Sequence, residues 1–198
     1  VKETGIIMSG DHPLKVRDGT KTMTRRVIKP QPDFMRDGKP CIITGDQEAF
    51  ERYPYQQATI DKEVKCPYGQ VGDRLWVRET WYVGKGYDGI KPRDLPVPAV
   101  KDSNKQYITI KKGYTADRIK PNWSGQTRAS RFMPRWASRI TLEITEVRAE
   151  LLRMITPADA MAEGGYTVEE FIEMYLKLNH LPKDTNPLNW AISFRRLD

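Results

Sequence analysis

The alternation of apolar and polar positions marks a series of short strands and three helices. Ile6-Ile7-Met8 reads as a strand ending at Ser9-Gly10. Asp11 is placed to cap a short helix carrying Pro13, Leu14 and Val16, and Gly19 supplies the left-handed residue that ends it. Residues 22–28 follow as a threonine-rich strand closed by Val27-Ile28. From Arg74 to Val83, Leu75 and Val77 face one way while Trp76, Arg78 and Thr80 face the other. Burying the two apolar residues is worth roughly 1.5–3 kcal/mol each. A long strand from Ser138 to Arg148 places Ile140, Leu142 and Ile144 on one face. Val147 breaks that parity, which predicts a bulge near Thr145-Glu146.

Two helices come late. Thr156-Pro157 starts the first, which stops at Gly164-Gly165. Thr167 and Glu170 form a capping box for the second, which runs to about Leu178 and buries Val168, Phe171, Ile172 and Tyr175. Trp190 to Phe194 is a final strand expected to close the sheet. Residues 29–67 carry five prolines and no sustained period, so they read as a long connection or small subdomain over the core. Residues 84–128 are rich in glycine, proline and charge, with a small hairpin expected around Tyr107 to Ile110 and Tyr114. The chain, 198 residues long, is sized for one domain, residues 1–198, with these two stretches as loop-rich insertions. The fold class is α+β, and the twist and bulge of its strands suit a small mixed β-barrel.

Charge sharpens this picture. The net charge is +7, which favours polyanionic partners. It is unevenly spread: residues 84–128 hold ten Lys/Arg against four Asp/Glu, whereas residues 151–198 hold five against seven. Tyr87, Tyr107, Tyr114 and Trp123 are interleaved with the cations of the basic stretch, the composition that single-stranded nucleic acid requires. Cys41 and Cys66 are too few for a disulfide framework, and with only His12 and His180 beside them no zinc-ligand spacing arises. No metal or other cofactor is expected. No run of 18 apolar residues occurs and no signal-peptide core stands at the start, so the expectation is a cytoplasmic protein.

The densest chemistry lies in Gly19-Thr20-Lys21-Thr22-Met23-Thr24-Arg25-Arg26. A lysine, a threonine hydroxyl and two guanidinium groups stand there within eight residues of a glycine turn. Lys21 and Thr24 face opposite sides of a regular strand, so they share a site only if Lys21 sits in the turn or the strand bulges. Glu163 falls at the C-terminal end of a helix, where the dipole disfavours a negative charge. It therefore needs a partner or carries a raised pKa. Trp76 beside Arg78 forms a face suited to stacking a base.

The spacing of Gly19, Lys21 and Arg26 resembles the GxKxxExR motif of the ASCH domain, a branch of the PUA-like β-barrels, with Thr24 at the position of the family's glutamate. Three further blocks are similar to ASCH proteins of phages and prophages: Tyr68 to Trp81, Arg131 to Ile140, and Asp159 to Gly164. The resemblance implies a five- or six-stranded barrel with helices at its mouth and a cleft for RNA or nucleosides. It also implies a specific activity, amide hydrolysis on N4-acetylcytidine. The catalytic set carried over by motif position is Lys21, Thr24 and Glu163, with Gly19, Arg25, Arg26, Trp76, Arg78, Glu79, Arg131 and Trp136 as candidate substrate or nucleic-acid contacts. The alternatives are a non-catalytic nucleic-acid-binding module, a ribonuclease, and a phage assembly or host-interaction protein.

Overall fold

A computed structural model describes residues 1–43, 61–95 and 124–197 of the chain. It is a mixed α+β structure. The main sheet has five strands: β1 (Glu3–Ile7), β2 (Met23–Val27), β6 (Arg74–Arg78), β9 (Thr141–Leu151) and β10 (Leu188–Arg196). Their order is β1-β6-β9-β10-β2, with only the β1–β6 pair parallel. Three further strands, β3 (Phe34–Arg36), β4 (Lys39–Ile43) and β5 (Asp61–Glu63), make a small antiparallel sheet. A ribbon of β7 (Trp81–Gly84) and β8 (Ser124–Arg128) forms the third. The α-helices among the described residues are α1 (His12–Arg17), α2 (Pro157–Ala162) and α3 (Val168–Leu178).

One face of the main sheet buries Ile6, Leu75, Val77, Ile140, Leu142, Ile144, Trp190, Ile192 and Phe194, with Met8, Val16 and Ile28 closing the cluster. This is the apolar set that the strand alternation selects. A second cluster, Leu152, Ile155, Ala160, Phe171, Tyr175 and Leu176, lies beneath α2 and α3. Thr156 caps α2 by accepting from Asp159 N–H, and the Thr167–Glu170 capping box is complete. The irregularity in β9 also falls where parity predicts it. Ser193 pairs with Glu146 and Phe194 with Ile144, leaving Thr145 as the extra residue.

Three expectations are corrected. The strand read over 74–83 is two strands in different sheets, because the chain turns at Glu79-Thr80. Glu79 is buried there against Arg139, with both guanidinium–carboxylate distances at 2.6 Å. The connection over 29–67 contains strands β3, β4 and β5, too short to show a period. The main sheet is not closed into a barrel by backbone pairing among the described residues; its edges are β1 and β2. Those edges are instead bridged by a side chain, Arg26 of β2 donating from Nη2 to Ile7 O of β1 at 2.8 Å. The expected hairpin around Tyr107–Ile110 and Tyr114, and the aromatic Trp123, lie outside the described residues.

Candidate functional site

The site forms where α1, the start of β2 and the end of α2 meet. Gly19, at φ +85°, ends α1 and lets the chain reverse. Lys21 then precedes β2 and is not part of its ladder. Its N–H donates to Lys15 O at 2.8 Å, and Thr22 N–H donates to Ala162 O at 2.8 Å. Lys21 also forms an isolated backbone bridge with Glu163. The chain between Lys21 and Thr24 is thus irregular, the condition under which the two residues serve one site.

Glu163 caps the C-terminal end of α2, and two cations offset its position there. Lys21 Nζ donates at 2.7 Å to both Glu163 Oε2 and the Glu163 carbonyl. Arg25 Nη1 donates to Glu163 Oε1 at 3.4 Å. The carbonyl is one of the helix-end acceptors left open by α2, so the ammonium satisfies both the charge and the helix terminus. Lys21 and Glu163 are each 2% exposed. Burial pushes the Lys21 ammonium below the usual lysine pKa despite the pull of Glu163, and the nearby Arg26 and Lys15 push the same way.

Arg25 is 1% exposed and carries a second set of ion pairs. Its Nη2 donates to Glu150 and, at 2.9 Å, to Asp159 Oδ2. Arg148 joins from β9, 3.2 Å from Asp159 Oδ2 and 3.4 Å from Glu150 Oε2. Lys21, Arg25 and Arg148 thereby face Glu150, Asp159 and Glu163 in one ion network, and Arg148 also reaches Glu146 Oε2 at 2.7 Å. Burial pushes the Asp159 carboxyl up, but the Arg25 hydrogen bond and the Arg25 and Arg148 charges hold it below its ordinary value. The Arg25 Nε–H is buried with no partner.

A cavity of about 210 Å³ opens beside this network. Thr24, Arg25, Arg26 and Glu163 line it together with His12, Phe171 and Tyr175. Lys21 lies behind Glu163 and is not part of the lining. Thr24 Oγ1 accepts from Arg26 Nη1 at 2.8 Å, leaving its own O–H free to donate. Arg26 also donates to Arg25 O at 2.9 Å and to Ile7 O. Both arginines therefore use their terminal nitrogens on protein groups. Tyr175 donates to Asn189 Oδ1, and burial raises its phenol pKa.

The other candidate contacts lie elsewhere. Gly19 shapes the turn without lining the cavity. Trp76 packs across Gly5, where a Cβ would meet the indole at 2.8 Å, and the Arg78 guanidinium sits 5.2 Å from the Trp76 ring centre. Arg78 also donates to Arg131 O. Arg131 stacks on Phe132 at 4.8 Å, and Trp136 meets Trp81 edge-on at 6.4 Å. The aromatic walls of the cavity are thus Phe171 and Tyr175 of α3, in place of Trp76.

His12 is a cavity residue that the motif reading passed over. Burial, then the Lys21 charge, pull its pKa down to about 4, with Arg26 and Lys15 adding to the effect and Asp11 opposing it. The imidazole is therefore neutral at pH 7. The unfolded chain takes up this proton near pH 6.5, so stability is expected to fall as pH drops from about 6.5 towards 4, by about 2–3 kcal/mol. Urea unfolding of the wild type and His12→Gln across that window tests this, with the glutamine variant showing the shallower slope.

Among the described residues, no group of three or more His, Cys, Asp or Glu side chains is arranged to hold a metal ion. No described helix is long and apolar enough to cross a membrane. These features define a mixed α+β protein with a small cavity backed by a buried Lys21–Glu163–Arg25 ion network.

Among solved structures, the chain is similar to an ASCH domain from Lactobacillus crispatus, at 10% identity and a TM-score of 0.41, covering 98% of this chain and 79% of that one. It is also similar to a DUF984 protein from Enterococcus faecalis, at 11% identity and a TM-score of 0.39, covering 100% and 77%. No family model matches the chain. No curated protein matches it either.

Proposed function

We propose that the chain is an ASCH-type, PUA-like protein that binds a nucleoside in the Thr24–Glu163 cavity and hydrolyses an amide on it, as in N4-acetylcytidine. The observation that carries this reading is the buried Lys21–Glu163 pair, 2.7 Å apart, directly behind a cavity that Thr24 also lines. The cavity is smaller than the usual span of about 300–1,000 Å³ for drug-sized ligands, which suits a single base and its substituent. Phe171 and Tyr175 supply apolar surface for that base.

Amide hydrolysis adds water across the acyl carbon–N4 bond. Thr24 Oγ1, which accepts from the Arg26 guanidinium, either orients the water that attacks the acyl carbon or attacks it directly, in which case water then cleaves the acyl-threonine ester to release acetate and restore Thr24. Glu163 takes the proton released on attack, and the Lys21–Glu163 pair returns a proton to the departing N4. The products are acetate and cytidine. Lys21, with its proton loosened by burial, is the direct hydrogen-bond partner of Glu163 in that transfer.

Purified protein is expected to release acetate and cytidine from N4-acetylcytidine with multiple turnovers, measured by chromatography of the nucleoside. Binding of cytidine without any acetate release at high enzyme concentration would leave a nucleoside-binding module and end the enzyme assignment.

A further inference from the structure

We infer that His12 is a ligand-contacting residue of this cavity, acting as a neutral hydrogen-bond donor through Nδ1–H. The inference rests on the cavity being the nucleoside site. His12 stands on α1 and lines the cavity with Thr24, Glu163 and the α3 residues Phe171 and Tyr175.

A hydrogen-bond relay selects its tautomer. Lys15 Nζ lies 3.2 Å from Asp11 Oδ2 and donates at 3.2 Å to the Tyr166 hydroxyl oxygen. Lys15 is a donor only, so the hydroxyl uses a lone pair there and keeps its proton for another acceptor. We take His12 Nε2, 3.5 Å from the hydroxyl, as that acceptor. A neutral imidazole that accepts at Nε2 carries its proton at Nδ1.

Burial first, and then the charges around the ring, hold it in that state. Lys21, Arg26 and Lys15 disfavour a cationic imidazole, Asp11 opposes them, and Tyr166 contributes a neutral hydroxyl. The other cations at the site have their partners: Lys21 serves Glu163, and the terminal nitrogens of Arg25 and Arg26 serve carboxylates, Thr24 and backbone carbonyls. His12 is thus placed to meet a neutral acceptor, such as the carbonyl oxygen of a base or of its acyl substituent. A neutral donor holds such an oxygen without adding a charge to the network.

The two amide replacements separate this role from a purely structural one. Asparagine sets an amide N–H near the position of Nδ1, whereas glutamine sets a carbonyl oxygen near Nε2, able to accept from Tyr166. His12→Asn is expected to keep affinity for cytidine and kcat/KM for N4-acetylcytidine within a few-fold of wild type. His12→Gln and His12→Ala are expected to lose about tenfold in each. The reverse order, with glutamine rescuing and asparagine not, identifies His12 as a support for Tyr166 and overturns the inference. Equal behaviour of all three variants and wild type overturns it as well, while leaving nucleoside binding intact. Failure of the wild type to bind either nucleoside overturns the cavity assignment and this inference together. In wild-type protein, the Nδ1–H resonance of His12 is expected to shift when cytidine is added. An unmoved resonance at saturating cytidine overturns the inference independently of how the variants fold.

Discussion

Replacing Arg25 with methionine is expected to cost about 3–5 kcal/mol of stability, the usual range for removing one partner of a buried ion pair. The loss comes less from packing than from what stays behind. Glu150, Asp159 and Glu163 all receive hydrogen bonds from this one guanidinium, and its side chain is wholly excluded from solvent. Without it, three carboxylates share Lys21 and Arg148. Lysine at position 25 is not expected to rescue the fold, because a single ammonium lacks the planar fork that reaches three acceptors at once. Asp159 has a depressed pKa in the folded state, so its contribution is present above its ordinary value of 3.8 and is lost as pH falls through the folded value. The gap between wild type and Arg25→Met is therefore widest near neutrality and narrows in acid. Urea unfolding at pH 7 and at a pH well below 3.8 measures both; a gap that stays constant between them removes the carboxylates as its cause.

The sequence exposes one end of this network and hides the other. Glu163 at the negative end of a short helix announces a need for a partner, because the helix and its glycine stop are both legible. The condition on Lys21 is legible too: period-two geometry forbids a regular strand from joining it to Thr24. The parity slip at Val147 similarly locates the irregularity at Thr145. The partners of Arg25 carry no local signal, since Glu150 and Asp159 lie 125 and 134 residues further along the chain. Read alone, a guanidinium next to a threonine looks like a phosphate holder. The fold turns it inward.

The aromatic wall is misplaced for a related reason. Alternation correctly sends Trp76 away from Leu75 and Val77, but a face is not yet a site. Gly5 on the neighbouring strand gives the indole a place to lie, away from the cavity. Phe171 and Tyr175 show the helical stripe of core residues, and they are core on most of their surface. One edge of that stripe also lines the cavity, a double use that periodicity does not distinguish. The 74–83 strand fails differently. Apolar Trp81 continues the pattern past Glu79, so the turn is visible only once Glu79 is seen buried against Arg139.

Lys21→Met is expected to abolish hydrolysis, by at least about 10²–10⁴-fold for the loss of a proton-transfer partner, while leaving cytidine affinity within a few-fold of wild type. The split follows from position. Lys21 touches Glu163 and does not line the cavity, so its removal takes away the carboxylate's proton-transfer partner and leaves the surface that holds the base. Glu163→Gln should lose a similar factor, because glutamine keeps the shape of the carboxylate without its capacity to take a proton. Since the two act as one unit, the double variant should be little worse than either single one. Independent roles predict losses that multiply. Steady-state kinetics on N4-acetylcytidine for the two singles and the double distinguishes these outcomes, with cytidine binding measured alongside. A Lys21→Met enzyme that retains its rate would show that the buried ammonium only holds the end of α2 in place. Loss of binding in the same variant would instead mean that the cavity itself depends on the Lys21–Glu163 contact for its shape.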